Sequence, residues 1–178
     1  MRAVPITVTA LAAALLLTAC SSSSDDDSGS GDGESKAAAG SACAFDDLGQ
    51  EVGPVDAAPG AGDTGNVTVT LTNKGAECTL EGFPTVDLEA GDASATVPKD
   101  AAAEAQKLTL PAQGTASFTI TYTRGESGGD QSLAVKTVKY GLPGASATES
   151  FTWSYGDVAL KSADAPDASV SAYQQAGD

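Results

Sequence analysis

Three cysteines, Cys20, Cys43 and Cys78, are the residues of this chain with the most evident capacity for chemistry, and their odd number sets the first problem. Other reactive types are scarce. The chain has no histidine, and its single methionine is Met1. The usual general base, the imidazole metal ligand and the thioether copper ligand are therefore missing together. Ser-His-Asp and Cys-His nucleophilic catalysis cannot be assembled, and zinc or copper has no adequate ligand set. No catalytic residue, metal site or cofactor is expected.

Carboxylates are the abundant alternative. The chain carries 24 acidic and 9 basic residues, a net charge of −15. Such a chain repels nucleic acid and anionic headgroups alike, which argues against both as partners. Asp46, Asp47, Asp56 and Asp63 fall in one loop-rich region, while Asp87, Glu89 and Asp92 flank a turn. Calcium takes six to eight oxygens, but no segment has EF-hand or related spacing. A solvated acidic face is the simpler reading. A glycosidase-like carboxylate pair would lack an accompanying aromatic platform, since only Trp153 and four tyrosines exist to build one.

The surroundings of Cys20 assign it a different role. Residues 1–19 have one positive charge, Arg2, then the apolar run "VTALAAALLLTA", the layout of a secretory signal peptide. That run is shorter than the roughly 20 residues of a spanning helix. Leu17-Thr18-Ala19-Cys20 resembles a bacterial lipobox. The resemblance implies diacylglyceryl transfer to the Cys20 thiol and cleavage after Ala19. Two acyl chains give stable attachment where one is marginal. The membrane is then a partner through covalent lipid, on the extracytoplasmic face. The alternative is an ordinary secreted protein whose Cys20 pairs with another thiol.

With Cys20 lipidated, Cys43 and Cys78 form an even pair in an oxidising setting. They are either a disulfide or two buried free thiols. A bridge would close a loop of about 36 residues, for which chain entropy gives roughly 4 kcal/mol at most.

The elements that position these residues follow from hydrophobic periodicity. Residues 20–42 are mostly Ser, Gly, Asp and Ala, and read as a disordered acidic tether with a random-coil span near 26 Å. From 43 to 160 apolar and polar residues alternate. "NVTVTLTN" separates Val67, Val69 and Leu71 from Thr68, Thr70 and Thr72, and "TASFTITYT" separates Ala116, Phe118, Ile120 and Tyr122 from hydroxyls. "PTVDLEA" and "ESFTWSY" alternate likewise. Gly91 and Gly114 suit reversals with positive φ. In "SLAVKTVKY" the phase changes, which predicts a β-bulge near Lys136–Thr137. "KDAAAEAQK", Lys99 to Lys107, can make at most a turn or two of helix. The pattern predicts an all-β domain, an antiparallel β-sandwich of seven to eight strands. Residues 161–178 show no apolar face and read as a disordered tail.

The segment "VTLTNKGAECTLEGFPTVDL" resembles a domain of unknown function found in many exported actinobacterial proteins, often lipoproteins. Their pattern, L-x-N-x-G then C-x-L-x-G-[FY]-P-x-V, is met by Leu71, Asn73, Gly75, Cys78, Leu80, Gly82, Phe83, Pro84 and Val86. A later L-x-P-G-x-x-A style is approximated by Leu108 to Phe118. The resemblance implies an Ig-like sandwich and a Cys43–Cys78 bridge, and it implies no activity. Trp153 reads as core near the disulfide rather than as a ligand platform. Asn66-Val67-Thr68 matches a glycosylation sequon but reads as a strand start.

The sequence thus predicts a monomeric, non-enzymatic binding or structural module displayed at the cell envelope, contacting an envelope protein or glycan. Binding of a small ligand or cation at the sandwich loops near Glu126–Gln131 is the second reading, and a carboxylate-dependent hydrolase a remote third.

Overall fold

A computed structural model of the protein describes residues 40–176. The expected signal peptide at 1–19, the lipidated Cys20 and the tether up to residue 39 lie outside the described residues, as do residues 177 and 178.

In chain order the strands begin with β1 (Ser41–Ala42), β2 (Leu48–Asp56), β3 (Thr64–Asn73), β4 (Cys78–Glu81) and β5 (Thr85–Ala90). There follow β6 (Ala93–Thr96), β7 (Lys107–Leu110), β8 (Thr115–Thr123), β9 (Ser132–Leu133) and β10 (Thr137–Gly141). The last are β11 (Thr148–Thr152), β12 (Val158–Ser162), β13 (Ala165–Pro166), β14 (Ala168–Val170) and β15 (Gln174–Gln175). A 3-10 turn, Phe45–Asp47, precedes β2, and the described residues hold no α-helix.

Two sheets make the sandwich. One has the order β14-β8-β3-β2, with β15 also on β8, and the other the order β11-β10-β5-β6. Smaller sheets, β1-β4-β7 and β13-β12-β9, close the sides. Strand pairing is antiparallel except where β1 runs parallel to β4. Val67, Val69 and Leu71 of β3 lie opposite Ile120, Phe118 and Ala116 of β8, forming one inner face. Val86 and Leu88 of β5 lie opposite Tyr140 and Val138 of β10, forming the other. Alternating β-branched and aromatic residues suit such half-buried surfaces. Phe118 and Tyr140 meet between the sheets with ring centroids 5.3 Å apart.

The edge strand β2 is interrupted between Val52 and Val55, where Gly53 takes φ +141° and Pro54 removes a donor. A bulge with proline discourages further strands from adding there.

Several sequence expectations need correction. Among the described residues the strands number fifteen rather than seven or eight, because the antiparallel sandwich is cut into short pieces of two to five residues between the longer ones. No bulge at Lys136–Thr137 carries the phase change. The chain changes sheets instead: β9 pairs with β12, β10 pairs with β5 and β11, and Val135 is buried between them. At the β7–β8 reversal it is Gln113, not Gly114, that takes positive φ (66°). Gly114 is needed for room, since a Cβ there would meet Pro111. Gly91 does take positive φ (65°), in the two-residue reversal between β5 and β6. Lys99–Lys107 yields a single turn, with the Asp100 carboxylate accepting from the Ala102 N–H.

The largest correction concerns the C-terminus. Residues 161–176 are part of the sandwich and not a disordered tail. β14 and β15 pair with β8, and Val170, Ala172 and Tyr173 are buried. Ala168, Val170 and Ala172 do alternate, but alanine is too small to make the face conspicuous. At the other end the domain begins at Ser41, whose strand pairs with Cys78–Thr79, two residues before the expected boundary.

Candidate binding surfaces

Asn73 ends β3 and is completely buried. Its Nδ2 donates to the carbonyl oxygens of Ala76, Leu110 and Pro111 at 2.7, 3.0 and 3.2 Å, and its Oδ1 accepts from the Gly75 N–H at 2.9 Å. A Cβ on Gly75 would stand 2.8 Å from the Asp47 carboxyl carbon. Cys78 is bonded to Cys43, with Cα atoms 5.0 Å apart. Gly82 takes φ +101°, its carbonyl accepts from the Tyr173 N–H at 3.1 Å, and Lys99 Nζ lies 5.2 Å from the Phe83 ring centre. Leu71, Leu80, Pro84 and Val86 are buried. The whole patterned segment is thus occupied in making the fold.

The acidic groups singled out in the sequence are spread along the turn before β2, β2 itself, the loop after it and the β5–β6 hairpin. Asp46 and Asp47 precede β2, while Asp56 ends it and Asp63 lies beyond, accepting from the Gly60 N–H. Asp87 accepts from Thr96, and Glu89 pairs with Lys139 at 2.7 Å. Among the described residues no three acidic or cysteine side chains converge as a metal site would require. Asp167 sits beside Lys161, whose hydrogen bond holds its carboxyl below the usual range.

The Glu126–Gln131 loop borders a groove of about 520 Å³ shared with Arg124, Ser132 and Leu160. Arg124 Nη1 donates to the carbonyls of Ala58 and Pro59, tying two loops together, and Asp157 Oδ2 accepts from the Gly128 N–H. Trp153 is only 4 % exposed. It is core, as expected, with its Nε1 donating to the Gly156 carbonyl at 2.7 Å and its ring against Tyr122 and Tyr155. It is not beside the disulfide, however. Tyr122 lies opposite Gly65 near the start of β3, whereas Cys78 follows the far end of that strand.

A larger cleft, of about 600 Å³, was not anticipated. Glu104, Gln106, Leu108, Tyr173, Gln174 and Gln175 line it. The carboxamides are exposed, while Tyr173 is buried and edge-on to Phe118. Burial pushes the Tyr173 hydroxyl's pKa up, and the hydroxyl finds no hydrogen-bond partner among the described residues. Three of these six residues lie in the segment read as a tail, which hid the site from sequence reasoning.

Next to the cleft, the outer face of β3 and β8 is a ladder of uncharged side chains. Thr64, Asn66, Thr68, Thr70 and Thr72 lie opposite Thr123, Thr121, Thr119, Ser117 and Thr115. Thr68 and Thr119 share a hydrogen bond at 3.1 Å, and Thr121 donates to Asn66 Oδ1 at 2.8 Å. Gln174 pairs with Ser117 and so joins both the ladder and the cleft.

No curated protein matches the chain. Residues 43–174 match the profile of a family described as a domain of unknown function, DUF4232. That match covers most of the chain, from the first disulfide cysteine to the last strand, and the protein belongs to this family.

Proposed function

We propose that the protein is a membrane-anchored extracytoplasmic lipoprotein displaying a non-enzymatic β-sandwich binding or structural module at the cell envelope. The observation that carries this reading is the Cys43–Cys78 bridge. Those two cysteines take each other, so Cys20, directly after Leu17-Thr18-Ala19, is left for lipid. The acidic spacer that follows lets the domain stand off an anionic surface. The absence of histidine from the whole sequence supports a non-enzymatic role.

The Cys20→Ser variant tests the anchor. It should move from the membrane fraction to the soluble exported fraction, whereas unchanged detergent partitioning contradicts lipidation. Crosslinking in intact cells then separates the two kinds of module, since a binding module yields a reproducible partner and a passive structural one does not.

The groove beside Glu126–Gln131 favours a second reading, an accessory that takes a small ligand or cation there. Calcium should then raise the melting temperature with concentration, and a flat profile across divalent ions rejects the cation version.

A further inference from the structure

We infer that the cleft at Gln106, Gln174 and Gln175, continued by the hydroxyl ladder of β3 and β8, binds an uncharged glycan chain. The inference rests on the reading of the domain as a binding module and names the chemistry of its partner.

Charge gives the first argument. Residues 40–176 contain 7 basic and 18 acidic side chains, so 7 − 18 = −11. On so acidic a domain, ten facing positions of β3 and β8 carry only hydroxyls and one carboxamide. The adjoining cleft adds three carboxamides and a single carboxylate, Glu104. A field of this sign disfavours anionic polymers and a second copy of the chain; the strip itself holds no charge, and Glu51 and Asp56 of β2 lie beside it, opposite Thr70 and Asn66. A neutral polyhydroxylated chain matches it.

Hydrogen-bonding capacity gives the second. A carboxamide donates two hydrogen bonds and accepts others, which suits the neighbouring hydroxyls of a sugar ring. Leu108 and Ala172 supply an apolar wall for the ring's C–H face. The cleft's volume of about 600 Å³ falls within the range of small-ligand sites.

Continuity gives the third. Gln174 lines the cleft and sits opposite Ser117 on β8, whose next neighbour across the sheet is Thr70. A chain with one unit in the cleft therefore has a hydroxyl-bearing path beyond it, along β8 and β3 as far as Glu51 of β2. The lining offers no exposed aromatic platform, so each contact is weak, and many anchored copies would act together.

The full chain in detergent, titrated calorimetrically with cellotetraose and chitotetraose, tests this. Saturable binding to at least one is expected, and it should hold from low to high salt. Combining Gln106→Ala with Gln174→Ala should weaken it by about tenfold or more, with an unchanged melting temperature. Ser117→Lys should weaken the tetrasaccharide more than the matching disaccharide. Binding to neither sugar overturns the inference, as does binding that falls with salt or survives the double substitution. An unaffected Ser117→Lys variant overturns the path across the sheet. Self-association on sedimentation that Ser117→Lys abolishes assigns the ladder to a second copy and equally overturns it. Failure of any of these leaves recovery of a reproducible crosslinked partner in intact cells untouched, so it is distinguishable from failure of the binding-module reading.

Discussion

The Asn73 carboxamide donates to the Leu110 carbonyl at 3.0 Å across 37 residues of sequence, tying the end of β3 to the end of β7. Its two protons are shared among three carbonyls, and its oxygen holds the Gly75 N–H. Asn73→Ala should cost about 3 kcal/mol, because these backbone groups are left buried without partners. Asn73→Asp should cost at least as much, since a carboxylate oxygen replaces the donor facing three carbonyls. Urea unfolding of both variants checks this. A loss below about 0.5 kcal/mol in either would show that water reaches the site and takes over the bonds.

The core and the principal strands were legible because Val67–Leu71 and Ala116–Tyr122 alternate with large apolar residues against threonines. Asn73 was visible as part of a pattern, but its work was not, since its partners are carbonyls that any residue supplies. The cleft was illegible for a different reason. Its C-terminal wall, Ala172 to Gln175, ends a segment whose buried Ala168, Val170 and Ala172 give almost no periodic signal. Sheet changes such as that between β9 and β10 are tertiary choices, and a local phase shift describes them no better than it describes a bulge.

The Cys43–Cys78 bridge fastens β1 and the start of β2 to the rest of the sandwich. Replacing both cysteines with serine should lower stability by about 3 kcal/mol, most of it through a freer unfolded chain. Reductant should lower the melting temperature of the wild type toward that of the variant and leave the variant unmoved. A reductant-sensitive variant would mean that another thiol is involved.

Gly65 has no positive φ, yet contact with backbone and with a fixed ring makes it hard to replace. A Cβ there would stand 2.6 Å from the Ala58 backbone nitrogen and 2.6 Å from the Tyr122 ring. Neither can retreat, because the Ala58 N–H donates to the Tyr122 hydroxyl, which itself donates to the Tyr155 carbonyl. Gly65→Ala should cost about 3 kcal/mol, whereas Gly91→Ala, with open space around it, should cost about 1 kcal/mol for its backbone alone. Thermal melts of the pair decide the order, and equal losses would reject the packing argument.

Three buried tyrosines make the fold sensitive to alkali. Burial raises the pKa of Tyr122, Tyr140 and Tyr173 above the ordinary value. Below about pH 10 each is protonated in both folded and unfolded chains and adds no pH dependence. Above it the unfolded chain releases protons that the folded one keeps, so stability falls as pH rises, by about 1.4 kcal/mol per pH unit for the deeply buried Tyr173. Lys139, raised by its hydrogen bond to Glu89, loses its smaller contribution in the same direction at higher pH. Tyr173→Phe isolates one tyrosine from these common terms. It removes a buried hydroxyl that has no partner among the described residues, so stability at neutral pH should be unchanged or higher. Its decline above about pH 10 should be shallower by about 1.4 kcal/mol per unit. Tyr140→Phe, by contrast, gives up a 2.6 Å hydrogen bond to Gln50 Oε1 and should lose about 1 kcal/mol at neutral pH while gaining the same alkaline tolerance. Urea titrations across the alkaline range measure both slopes, and a Tyr173→Phe slope equal to wild type would place the alkaline transition elsewhere.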